Sequence, residues 1–263
     1  MWRERLVHPH PRRVHKSAQL FHHPTYMTRR EDIHRIFHKL SLGIDIRPHL
    51  SRNIRFGYER KSPRKKGGRD IDGLLNEWGV HHLHLSHTVE DNGFVERGKE
   101  VLAIIFRPSD AFVLDIISHG EWAEQRLVEA ALHNWPREEL FPELKGIAPG
   151  QPYSNEERVR LRAAGINTWV EIDGRCYIAA TGGISTALTP ARIMAQTARL
   201  LSQLRAIEAD PSILMPGFRS TVGFKTKVWP RRPRYRVIAA STQDRFSFVI
   251  LEEVTGLAHG LSV

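Results

Sequence analysis

Ile33, Ile36, Phe37 and Leu40 recur at i, i+3, i+4 and i+7, a single apolar stripe that predicts a helix. Thr28 and Glu31 stand at the Ser/Thr-x-x-Glu spacing in which hydroxyl and carboxylate satisfy free backbone N–H groups of a first turn. Gly43 offers a stop. From Trp78 the pattern shortens to that of strands, expected over 78–86, 101–107 and 112–117, with Pro108-Ser109-Asp110 turning between the last two. Ser118 and Glu121 repeat the capping spacing and predict a helix ending by Asn134, ahead of Trp135-Pro136. Three strands and one helix imply a small antiparallel sheet with one covered face.

Pro136, Pro142, Pro149 and Pro152, with Gly146 and Gly150, mark the clearest boundary in the chain. Beyond it, Ser154 and Glu157 cap a short helix whose acids precede Arg158, Arg160 and Arg162, the order favoured by the helix dipole. Residues 168–172 and 175–180 pair across Asp173-Gly174, a hairpin signal. Thr189 and Pro190 open the longest helix, with Ile193, Leu200, Leu204 and Ile207 on one face. A last hairpin is expected between residues 235–240 and 246–252. The fold class is therefore α+β, in three sections. These are a basic N-terminal arm with a helix (1–70), a central antiparallel sheet plus helix (71–140) and a C-terminal α+β section (150–263).

Charge divides the chain more sharply than its net value of +10 suggests. Residues 1–70 hold 18 Lys and Arg against 6 acids, whereas residues 71–145 hold 6 against 14. A basic arm ahead of an acidic block suits a polyanionic partner, or docking of the arm on the block within one molecule. The first 27 residues carry five histidines among prolines with no apolar period, and read as an extended arm. The one cysteine, Cys176, excludes an intramolecular disulfide framework and a Cys-rich zinc site, and suits a buried thiol in a reducing compartment. No signal-like h-region opens the chain and no run of about 18 apolar residues occurs, so a cytoplasmic protein without a membrane span is expected.

The densest chemical cluster is His81-His82-Leu83-His84-Leu85-Ser86-His87. On a strand His82 and His84 share one face, while His81 and His87 share the other with Leu83 and Leu85. Two imidazoles at His-x-His spacing can chelate a metal. As His-x-His-x-x-His, residues 82, 84 and 87 resemble the ligand motif of the metallo-β-lactamase fold, although Ser86 stands where that family has an aspartate. A metal-dependent hydrolase using these three is one reading; histidines that pack or face water are the plain alternative. His34 and His38, one helical turn apart, read as a helix flank, and Gly182-Gly183 as a turn rather than a phosphate loop.

Residues 72–135 as a whole resemble the compact sheet of the RelE/ParE toxin superfamily, which includes messenger-RNA interferases. The resemblance rests on the order strand, polar loop with Arg97 and Lys99, strand, tight turn, strand, then His119. It implies a metal-independent, toxin-type endoribonuclease with no cofactor, and a neutralising protein partner. Such cleavage needs a base, an acid and cations for the phosphorane. His82, His84 and His119 suit proton transfer, and Arg97, Lys99 and Arg107 suit the charge. Arg97 and Lys99 could equally solvate a loop between Glu96 and Glu100.

Two basic segments suit RNA or DNA. Arg64, Lys65, Lys66 and Arg69 surround two glycines that allow close approach to phosphates. Trp229, Arg231, Arg232, Arg234, Tyr235 and Arg236 interleave cations with aromatics able to stack on bases. A noncatalytic nucleic-acid-binding or regulatory protein is thus the alternative from another class.

Overall fold

In a computed structural model, residues 5–52, 72–121, 123–185, 189–221, 224–241 and 247–262 are described. The architecture is α+β, and the chain divides into two compact units, residues 1–192 and 193–263.

The first unit is built on a four-stranded sheet in the order β1-β4-β3-β2, from β1 (Arg13–Lys16), β2 (Val80–His84), β3 (Glu100–Phe106) and β4 (Asp110–Ser118). The β2–β3 and β3–β4 pairs are antiparallel, the second as the tight turn at Pro108 requires. The β1–β4 pair is parallel. The N-terminal segment therefore does not stand away as an extended arm. Its strand completes the sheet, and the short helix α1 (Ala18–His22) buries Leu20. Part of the basic segment's charge is answered inside the molecule, where Arg13 and His15 both bond Asp110 and Arg29 lies 3.6 Å from Glu100.

Both faces of the sheet are covered, not one. The continuous apolar runs of β3 and β4, unlike an alternating strand, are what such burial demands. One face (Leu83, Leu102, Ile104, Val113, Ile116) packs against α1 and α2 (Arg30–Leu42) through Leu20, Ile33, Ile36, Phe37 and Leu40. The other face (Val80, Val101, Ala103, Phe112, Leu114, Ile117) meets α3 (Gly73–Trp78) and α4 (Gln125–Asn134). The hairpin of β5 (Val170–Ile172) and β6 (Arg175–Tyr177) joins that second layer through Val170 and Ile172. It turns on Asp173 and Gly174, both at positive φ. Cys176 is buried there, and burial followed by the Glu171 charge pushes its thiol pKa up.

Of the three expected capping boxes one forms in full, at Ser154 and Glu157 ahead of α5 (Asn155–Ala163). Helix α2 begins at Arg30 without a side-chain cap, because the Thr28 hydroxyl donates to the Thr25 carbonyl instead. Glu121 accepts from the Ser118 N–H, but β4 runs on through Ser118 and α4 starts only at Gln125. Gly43 ends α2 at φ 71°, and a Cβ there would come within 2.7 Å of the His10 and Pro11 backbone. That close approach clamps the N-terminal segment across the end of α2, where the Arg12 N–H donates to the Leu40 carbonyl.

The second unit carries α7 (Met215–Ser220) and an antiparallel sheet of β7 (Tyr235–Ser241), β8 (Ser247–Glu252) and β9 (Ala258–Ser262), the last unforeseen in sequence. The long helix α6 (Ala191–Ala209) opens at the unit boundary and lends Leu200, Leu204 and Ile207 to this core. Among the described residues no helix is long and apolar enough to cross a membrane.

Candidate metal centre

Strand parity brings His82 and His84 to the α3/α4 face of the sheet, the face of Val80. In the ladder His84 pairs with Val101 and Val101 with Ile117, a row running straight across three strands. His119 lies two residues beyond Ile117 and so returns to the same face. Its N–H donates to the Lys99 carbonyl at 2.7 Å, extending the β3–β4 pairing past Ser118. Three histidines from two chain segments thus meet at one end of the sheet.

Their ring centroids form a near-equilateral triangle: 5.8 Å for His82–His84, 6.1 Å for His82–His119 and 5.9 Å for His84–His119. One ring nitrogen of each lies within 4.8 Å of the others. A tetrahedral zinc with metal–nitrogen bonds near 2.0–2.1 Å holds its nitrogens about 3.4 Å apart, so an inward shift of about 1 Å per ring closes the set. His82 and His84 are buried, whereas His119 is exposed and leaves the triangle open to solvent on its side.

Burial, then the charges of His82, Arg97, His119 and Arg52, pushes the His84 pKa down to about 3. The imidazole is neutral, the form a metal requires. Neither of its ring nitrogens has a hydrogen-bond partner among the described residues, although both are buried. Its carbonyl accepts from His49 Nδ1 at 2.8 Å, and His49 Nε2 lies 2.9 Å from Lys39 Nζ. With the lysine donating to Nε2, the His49 proton belongs on Nδ1 and fixes the strand end. Behind His82, the Asp72 Oδ2 atom lies 3.3 Å from Nδ1. Asp72 Oδ1 accepts from the Leu75 N–H and caps α3. One carboxylate thereby ties helix α3 to the triad.

Of the residues expected from sequence, His82, His84 and His119 come together and Arg97 borders them. Lys99 contributes its backbone carbonyl, while its side chain is exposed. Arg107 lies at the far end of β3, about 20 Å away at 3.4 Å per residue. There it pairs with Glu138 at 2.8 Å and covers Phe112. The set His82, His84 and His87 is not assembled. After His84 the chain leaves the strand, and the exposed His87 turns to Asp32, 3.3 Å away. His87, Asp32, His34 and His38 line a separate groove of about 580 Å³ along α2. His81 faces the opposite side of the sheet and packs edge-on to Phe106. Arg64, Lys65, Lys66 and Arg69 lie outside the described residues.

Asp72 and His49 were missed from sequence. An Asp-Gly pair before the apolar run Leu74-Leu75 signals a helix cap, but nothing local connects it to a histidine ten residues later. Comparisons with protein-family models, with curated proteins and with solved structures return no match.

Proposed function

We propose that His82, His84 and His119 hold a divalent transition metal of the zinc class, and that the first unit is a metal-dependent hydrolase of nucleic-acid phosphodiesters. The observation that carries this reading is His84, a buried neutral imidazole inside a triangle of histidines, neither of whose ring nitrogens has a hydrogen-bond partner among the described residues. An unsatisfied buried polar group costs about 1–3 kcal/mol, and a ligand that bonds it removes that cost. Three imidazole ligands with one side open is the donor set of catalytic rather than structural zinc. A metal so held supplies a water of lowered pKa at neutral pH. Arg97 beside the triad suits the phosphate of an anionic substrate, and Asp72, 3.3 Å from His82 Nδ1 though not hydrogen-bonded to it, places a carboxylate charge behind that ring.

The metal-free, toxin-type ribonuclease is the second reading, favoured by the Asp72–His82 contact. There the carboxylate would orient His82 as general base, and the exposed His119 would protonate the leaving oxygen. The test is metal analysis of protein purified without chelator, followed by incubation with labelled single-stranded RNA in zinc and in EDTA. Stoichiometric metal, lost in His84→Ala, with cleavage abolished by EDTA supports the metal centre. Cleavage undiminished in EDTA by a metal-free protein overturns it in favour of the second reading.

A further inference from the structure

Residues 211–243 contain seven Lys and Arg and no Asp or Glu. Arg219, Lys225, Lys227, Arg231, Arg232, Arg234 and Arg236 are all exposed in the second unit. Arg236 lies 3.4 Å from Glu253. For the other six, no carboxylate among the described residues lies within ion-pair distance. Cations gathered without acids repel one another, a cost that folding alone does not repay and a polyanion removes.

The charged segment is held rather than loose. Its aromatic neighbours are turned inward: Trp229 and Tyr235 pack on the buried Phe218, with ring centroids at 5.2 Å and 5.8 Å. His259 completes the cluster at 5.9 Å. The Arg234 N–H donates to Glu252 at 3.1 Å, and the Arg234 carbonyl accepts from the Glu253 N–H at 2.9 Å. Glu252 is fully buried and also accepts from the Thr255 N–H and hydroxyl at 2.7 and 2.8 Å. Burial pushes its pKa up, but these donors outweigh it and keep it below the usual range. The Glu252 carboxylate is thus spent on the backbone that displays the arginines.

We infer that this exposed basic segment of the second unit binds the phosphate backbone of a nucleic acid without reading its bases. The planar guanidinium forks of Arg231, Arg232 and Arg234 match phosphate oxygens, whereas Tyr235 stacks on Phe218 and Trp229 tilts against it, so both rings are engaged in the unit's own core. The same inward turn removes the aromatic anchors that a membrane-interface site uses. The inference stands apart from the metal centre, since it needs neither the histidines nor a reaction.

The test is fluorescence anisotropy of the full chain with labelled U20, A20 and C20 RNA in EDTA, across a salt series. Binding is expected with affinities within about threefold among the three, because phosphates carry no sequence. The logarithm of affinity should fall linearly with the logarithm of salt, and Arg231→Gln/Arg232→Gln should flatten that slope by about 1.4, or 0.7 per lost contact on a single strand. Arg231→Lys/Arg232→Lys should keep the slope. Circular dichroism of the variants should match the wild type, since both side chains are exposed. No binding at low salt, a slope unchanged in the Gln variant, strong preference for one base, or tighter binding to phosphatidylserine vesicles than to RNA would each overturn the inference. A protein that binds RNA but holds no metal keeps this inference and loses the preceding one.

Discussion

Asp72 reaches His82 Nδ1 across 3.3 Å while its other oxygen caps α3, so one buried carboxylate serves both a helix and the histidine triad. The two roles separate by mutation. Asp72→Asn keeps a capping oxygen but loses the charge behind His82, and zinc affinity should fall about 10–100-fold with little change in melting temperature. Asp72→Ala should lose the same affinity and about 1 kcal/mol of stability besides. Zinc competition against a chromophoric chelator, with thermal melts in EDTA, reads both.

His84→Leu should uncouple binding from folding. Removing a buried imidazole whose two nitrogens lack hydrogen-bond partners among the described residues takes away a desolvation cost, so in EDTA the variant should be as stable as wild type or about 1 kcal/mol more stable. In zinc the order should reverse, because only the wild type gains binding energy. Thermal melts in EDTA and in zinc test this; a variant less stable than wild type in EDTA would show His84 to be a packing residue.

Glu77 and Arg162 form a buried ion pair in the α3–α5 layer, and the Arg162 guanidinium stacks 5.1 Å over the Trp78 ring. Burial raises the Glu77 pKa and Arg162 opposes that rise. Arg162→Ala takes the ion-pair partner from a buried carboxylate, leaving it the Thr168 N–H and the more distant Arg158 charge, and should cost about 3 kcal/mol in urea denaturation. His87→Ala, on the exposed loop, should cost less than about 0.5 kcal/mol and leave zinc binding intact.

Asp110 fastens β1 to the sheet, accepting from Arg13 Nε at 2.9 Å and from His15 Nε2 at 2.8 Å. These bonds, His15 first and Arg13 next, hold its pKa below the ordinary 3.8. A depressed carboxylate stabilises fully above its unfolded pKa, and that stabilisation is lost as pH falls through the folded value. Wild type should therefore lose stability below about pH 4 more steeply than Asp110→Asn, which starts lower at neutral pH by about 0.5–1 kcal/mol. Urea midpoints from pH 7 down to pH 3 measure the difference.

What the sequence determined by itself was local. The apolar stripe of α2, the Ser154 capping box, the Asp173-Gly174 turn and the three central strands follow from spacing and backbone preference, which act within a few residues. The shared face of His82 and His84 was legible for the same reason, since alternation on a strand is a two-residue rule. Tertiary structure decided the rest. His119 joins the triad only through the β3–β4 register, 35 residues from His84, and Asp72 only through the docking of α3. The N-terminal segment carries prolines and no period, yet becomes a strand because β4 offers it an open edge and Asp110 a charge partner. Trp229 and Tyr235, which suit stacking on bases, turn onto Phe218 because a small unit must draw its aromatics into its own core. Pairing register and competition for burial are set between distant segments, so no local pattern encodes them.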